Sequence, residues 1–108
     1  MALAEQRCQA CAPGTLPLER AQANDLLARI PGWEINAAGL EISRAFKFKN
    51  YYETMAFVNA VAWVAHAEDH HPGLEVGYNR CLVRFSTHSV GGLSLNDFIC
   101  AAKISALL

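Results

Sequence analysis

The chain predicts an α+β domain: a four-stranded antiparallel sheet with three helices packed on one face, in the order helix, hairpin, helix, hairpin, helix. Three observations carry that expectation. Apolar residues recur at helical spacing in three separate stretches, period-two alternation fills the two stretches between them, and a short turn-forming connection divides each of those into a pair of strands. With 108 residues and 53% hydrophobic content, there is enough apolar side chain for one core and one domain.

Residues 1–16 show no sustained period and carry Pro13 and Gly14, so they read as a flexible arm, bearing Cys8-x-x-Cys11, ahead of a domain spanning 17–108. From Leu18 to Ile30, the residues Ala23, Leu26, Leu27 and Ile30 fall at helical spacing until Pro31-Gly32 stops the pattern, which makes a first helix. Trp33 to Ile35 and Leu40 to Phe48 flank Asn36-Ala37-Ala38-Gly39, a connection suited to a hairpin. In its second arm Leu40, Ile42, Phe46 and Phe48 share one face and Glu41, Ser43 and Lys47 the other, with Arg44 as a charge on the apolar side.

Asn50 with Glu53 resembles a capping box and opens the next helix. Thr54, Phe57, Val58, Val61, Val64 and Ala65 form its buried stripe, and the pattern runs to about His70. Leu74, Val76 and Tyr78 then alternate with Glu75, Gly77 and Asn79, and Cys81, Val83 and Phe85 with Leu82, Arg84 and Ser86, with Asn79-Arg80 as the turn. Gly91-Gly92 is a flexible loop, and Leu95, Phe98, Ile99 and Ala102 stripe the last helix. A sheet with one uncovered face and free edges invites self-association.

A formal net charge of -1 and nine scattered Lys and Arg argue against a nucleic-acid-binding face, because phosphate contacts need clustered cations. Glu5, Gln6, Arg7 and Gln9 stand where a secretory signal would need an apolar run, and no stretch approaches the roughly 18 uncharged apolar residues of a membrane span. A cytoplasmic protein is the expectation, and with it free thiols at Cys8, Cys11, Cys81 and Cys100. Cys8-x-x-Cys11 has the spacing of a zinc pair or a redox disulfide, but neither a second such pair nor a βαβ pattern accompanies it.

Three of the four histidines lie at the ends of elements. Adjacent histidines on a continuing helix would point about a hundred degrees apart. Pro72 changes this by pushing His71 toward extended backbone while His70 stays at or near the last turn, so the two rings are able to converge. Imidazole titrates near neutrality and donates from one nitrogen while accepting at the other, which suits proton delivery and removal at one substrate. His88 lies in phase with Arg84 and Ser86, on the less apolar face or at the strand's end. His66 and His70 have the spacing of paired zinc ligands, without the Glu that follows the first histidine in that motif. Ser94-x-x-Asp97 reads as a helix N-terminus with its carboxylate favoured by the dipole.

His70-His71-Pro72, then Val76 with Tyr78-Asn79, then Ser86-Thr87-His88-Ser89, then Gly92-Leu93-Ser94-x-x-Asp97 resemble the signature of the pterin-4a-carbinolamine dehydratases. The likeness runs back through Pro31-Gly32-Trp33 and Phe46-Lys47-Phe48-Lys49, covering residues 18–103. One departure stands out: many members carry an acidic and then an aromatic residue after the proline, where this chain has Gly73 and Leu74. The resemblance implies the same fold, a homodimer or homotetramer, and a dehydration needing no metal or organic cofactor. Its substrate is 4a-hydroxytetrahydropterin, left when an aromatic amino acid hydroxylase has used its tetrahydropterin, and its product is quinonoid dihydropterin. The resemblance further implies His70 and His71 as the acid–base pair, His88 binding substrate or sharing the proton work, and Asp97, Pro72, Thr87 and Ser89 at the substrate. A second reading is a non-catalytic partner-binding cofactor or assembly factor on the same scaffold, since the family's animal members also act as dimerisation cofactors of a homeodomain transcription factor. Retention of three histidines and Asp97 favours the enzyme.

Overall fold

Three α-helices and four strands follow one another in the expected order in the computed structural model, which describes residues 1–108. The first helix, α1 (Arg20–Leu27), opens on a reciprocal capping box between Glu19 and Gln22. It is shorter than its apolar period because the amides of Arg29 and Ile30 bond three residues back, to Leu26 and Leu27, winding the end into tight turns before Pro31.

Strands β1 (Glu34–Ile35), β2 (Ile42–Lys47), β3 (Gly73–Val76) and β4 (Arg80–Phe85) form one antiparallel sheet in the order β1-β2-β4-β3. Alternation sends Ile42, Phe46, Cys81, Val83 and Phe85 to one face, each no more than 3% exposed. On that face α2 (Tyr51–Glu68) and α3 (Leu95–Ser105) close the core with Phe57, Val61, Phe98, Ile99 and Ile104. Burying each such side chain contributes about 1.5–3 kcal/mol.

Arg44, the charge on the apolar side, keeps its guanidinium at the margin. It lies 4.5 Å over the Phe46 ring and donates to Ser105 Oγ at 3.1 Å, a hydroxyl that also accepts from Trp33 Nε1 at 2.8 Å. The β3–β4 turn falls at Tyr78–Asn79, one residue earlier than the alternation implies, and is closed by the Gly77 amide donating to the Arg80 carbonyl at 2.8 Å. Tyr78 is thereby released from the strand, and its ring stacks on Tyr51 with centroids 6.3 Å apart.

At the start of α2, Asn50 Oδ1 accepts from the Glu53 amide at 2.9 Å, while the Glu53 carboxylate reaches back to the Lys49 amide. The other end departs from expectation. The helix stops at Glu68 because Asp69 adopts left-handed backbone (φ 50°, ψ 43°), the one non-glycine residue at positive φ. The His70 amide then bonds the Ala65 carbonyl and the Asp69 amide bonds that of His66, the double closure of a Schellman turn. His70 therefore lies just beyond the helix rather than in its last turn, held by backbone at the point of reversal. Pro72 follows the break and does not cause it.

The N-terminal segment is tied to the helices. Leu3, in a short 3-10 turn at Leu3–Glu5, is buried in the core; Lys103 Nζ donates to the Ala4 carbonyl at 2.9 Å; and Gln9 and Asn96 exchange two hydrogen bonds. No helix is long and apolar enough to cross a membrane.

Candidate active site

A carboxylate removed entirely from solvent sits at the centre of the site. Asp97 is 0% exposed, and its oxygens are shared among three donors. Oδ1 meets His70 Nε2 at 2.6 Å, while Oδ2 accepts from the Thr87 hydroxyl at 2.7 Å and from the Ser94 amide at 2.9 Å. Ser94 Oγ completes the chain 2.7 Å from Thr87 Oγ1, so its hydroxyl donates to Thr87 as Thr87 donates to Asp97. A buried charge is tolerated only when paired and hydrogen-bonded, and this one also sits in the first turn of α3, where the helix dipole favours an anion. One carboxylate both caps a helix and holds a histidine.

Local structure explains why these residues meet. The Schellman turn delivers His70 from α2; the Thr87–Gly92 bridge beyond β4 fixes Thr87; the capping box of α3 fixes Ser94 and Asp97. The His70 ring lies nearly parallel to Phe85, at 8° with centroids 5.8 Å apart, so it is supported on one face by the core. Because an ionised carboxylate only accepts, the short bond to Asp97 places the proton on Nε2. No buried polar side-chain atom lacks a partner, and Nδ1 makes no hydrogen bond within the protein, so it is the nitrogen open to solvent.

Of the other candidates, only Thr87 touches this pair, and His88 lines a cavity that includes neither His70, His71 nor Asp97. His71, His88 and Ser89 are exposed, Pro72 is half-buried, and Thr87 is buried with its hydroxyl committed to Asp97 and Ser94. His88 opens a 3-10 turn (His88–Val90) and lines a cavity of about 300 Å³ with Ser86, Thr87, Gly91, Gly92, Asn36 and Glu41. Gly92 packs so closely under Pro17 that a Cβ there would lie 2.9 Å from Pro17 Cβ, which keeps this loop against the domain. Leu74 is half-buried, opposite Val83, and packs against the core. His66 is exposed beside Trp63, whereas His70 Nε2 is occupied by Asp97.

Glu68, to which the sequence assigns no role, ties the end of α2 to the N-terminal arm and α3. Its side chain, 5% exposed, accepts from the Cys8 amide at 2.8 Å, pairs with Arg7 at 2.8 Å and lies 3.8 Å from Lys103 Nζ. Burial pushes its carboxyl up, but the Cys8 amide, Lys103 and Arg7 together outweigh that and hold it below its ordinary value of 4.5. Since the folded value is the lower one, the stabilisation is complete above the unfolded value and is lost as pH falls through the folded one. Glu68→Gln is therefore expected to lower stability at pH 7 by about 1–3 kcal/mol. The gap from wild type should close in urea titrations as pH falls below 4.5, the carboxyl's ordinary value, and through the lower folded one. A gap independent of pH would assign the effect to shape rather than charge.

A two-layer fold whose helix and strand ends seat a histidine on a buried carboxylate defines a scaffold equipped for acid–base chemistry. Within that class, the chain belongs to the pterin 4 alpha carbinolamine dehydratase family, whose model matches residues 16–107. A protein of Nitrosomonas eutropha, provisionally named a pterin-4-alpha-carbinolamine dehydratase, is 57% identical over 107 residues, covering 98% of this chain and 93% of its own. One of Stenotrophomonas maltophilia with the same provisional name is 60% identical over 105 residues, 97% of this chain and 90% of its own. Among solved structures, a transcriptional coactivator/pterin dehydratase from Brucella melitensis superposes with a TM-score of 0.81 at 33% identity, covering 84% of this chain and 97% of that one.

Proposed function

We propose that the chain is a dehydratase that eliminates water from 4a-hydroxytetrahydropterin, recycling in the cytoplasm the pterin used by an aromatic amino acid hydroxylase. The observation that carries this reading is the His70–Asp97 pair, with one imidazole nitrogen locked to a buried carboxylate and the other free. The elimination removes a proton from the ring nitrogen next to C4a and adds one to the departing hydroxyl, so quinonoid dihydropterin and water leave together. In its neutral form His70 presents an Nδ1 lone pair, which suits it to take the ring proton, and Asp97 stabilises the imidazolium that results. His71 and His88, both exposed, supply the proton to the hydroxyl and hold the ring. Thr87, Ser94 and Phe85 act through His70: the hydroxyls orient Asp97 and the phenyl ring supports the imidazole. Pro72 and Ser89 shape the rim.

A partner-binding role is the second reading, supported by exposed aromatic residues along α2, Tyr52 at 81% and Trp63 at 70%, and by the dual name of the Brucella melitensis structure. Self-association into a homodimer or homotetramer would cover such a surface. One preparation tests both readings: quinonoid dihydropterin formation is followed from 4a-hydroxytetrahydropterin generated by a hydroxylase, with light scattering on the same sample. The dehydratase reading expects acceleration over buffer. A folded protein with no acceleration would overturn it in favour of partner binding.

A further inference from the structure

Behind the His70–Asp97 pair, the N-terminal arm and α3 bring two thiols together. Cys8 Sγ lies 3.5 Å from Cys100 Sγ; both are free, Cys100 is wholly buried and Cys8 half-buried. The Cys-x-x-Cys spacing pairs Cys8 with Cys11, but the fold does otherwise. Cys8 turns inward, its amide on Glu68 and its sulfur also 3.7 Å from the Asn96 carbonyl, whereas Cys11 lines a separate surface cavity with Thr15 and Leu95.

We propose that Cys8 and Cys100 form a redox modification site, oxidised to a disulfide by a small-molecule disulfide of the glutathione class, which joins the arm covalently to α3. The Cys8 thiolate attacks one sulfur of the small disulfide, forming a mixed disulfide and releasing one thiolate that takes up a proton. Cys100 then gives its proton to solvent and attacks the Cys8 sulfur, expelling the second small thiol. The protein loses two electrons and two protons, and the small disulfide becomes two thiols.

The geometry sets the order of attack. Cys8 is half-buried where Cys100 is fully buried, and the hydrogen bond from Cys100 holds the Cys8 thiol below the ordinary range against burial and the Glu68 charge, with Lys103 acting in the same direction as Cys100. The same contact, together with burial, pushes Cys100 up. Once Cys8 is capped its negative charge is gone, and Cys100 is released to act as the resolving thiol. A disulfide needs about 2.05 Å between sulfurs, so the arm must approach by about 1.5 Å. Cys100 is built into α3, whereas Cys8 lies outside any helix or strand, so the adjustment falls on the arm, within its hydrogen bonds to Glu68 and Asn96.

The test is equilibration of the full chain with glutathione buffers of graded redox potential. Oxidation should remove the mass of two hydrogen atoms, link the Cys8 and Cys100 peptides in a non-reducing map, and raise Tm by on the order of 10 °C, because the bond closes a loop spanning most of the chain. Dithiothreitol should reverse all three. Cys8→Ser, at a half-buried arm position, should abolish the changes even if Cys100→Ser folds poorly, and Cys11→Ser should leave them intact. A Cys8–Cys11 linkage, a stable glutathione adduct on Cys8, or no oxidation where a simple dithiol is oxidised would each overturn the proposal.

Discussion

His70→Gln is expected to lower kcat for pterin dehydration by roughly a hundred- to ten-thousand-fold, about 3–5 kcal/mol of barrier, while shifting Tm by only a few degrees. Glutamine is the informative replacement because its amide nitrogen reaches the place that His70 Nε2 occupies, so Asp97 keeps a donor at that oxygen. What is lost is the second nitrogen and the ability to exchange a proton. His70→Ala removes the donor as well and leaves Asp97 with only Thr87 and the Ser94 amide, so it should lose stability along with activity. His71→Gln should leave Tm unchanged, since His71 is exposed, and should reduce kcat if His71 delivers the proton to the hydroxyl. The decisive comparison is His70→Gln in steady-state kinetics beside thermal unfolding. A variant with wild-type kcat would show that the His70–Asp97 pair is only structural.

The parts of this site that were legible in the sequence are those encoded within one turn of chain. Asn50 with Glu53, and Ser94 with Asp97, announce helix starts because a cap joins residues three apart, and both caps are present. The strand faces followed from a period of two, although Arg44 needed the structure, since nothing local says that Ser105 and Phe46 will receive its guanidinium. The end of α2 was misplaced by two residues because the left-handed position is filled by Asp69, where a glycine would have marked it, while Pro72 drew attention further along. Contacts between distant residues were not legible. His70 and Asp97, 27 residues apart, were both singled out, but which histidine the carboxylate would hold is decided by how α2 and α3 pack. Glu68 carried no signal at all: its partners Arg7 and Cys8 lie some 60 residues away, on an arm without periodicity.

Asp97 separates the stability of the site from its chemistry, and two substitutions there should diverge. Asp97→Ala strands the Ser94 amide, the Thr87 hydroxyl and the His70 N–H in a volume closed to water. Each buried donor left without its acceptor costs about 1–3 kcal/mol, and together these lower Tm by on the order of 15 °C in a domain of this size. Asp97→Asn keeps the shape, but its amide is constrained. The Ser94 N–H needs an oxygen opposite it, so the NH₂ group must turn to His70. His70 then has to accept at Nε2, its proton moves to Nδ1, and the solvent-facing nitrogen changes from acceptor to donor. A base becomes unable to take a proton although every atom is in place. Asp97→Asn is therefore expected to fold with a much smaller loss of Tm than Asp97→Ala, yet to lower kcat by at least about a hundredfold. Adding His70→Gln to it should cost little more, because both changes disable the same proton transfer. If the double variant instead multiplied the two losses, Asp97 would act on the substrate independently of His70, and the carboxylate would have to be assigned a role at the pterin itself.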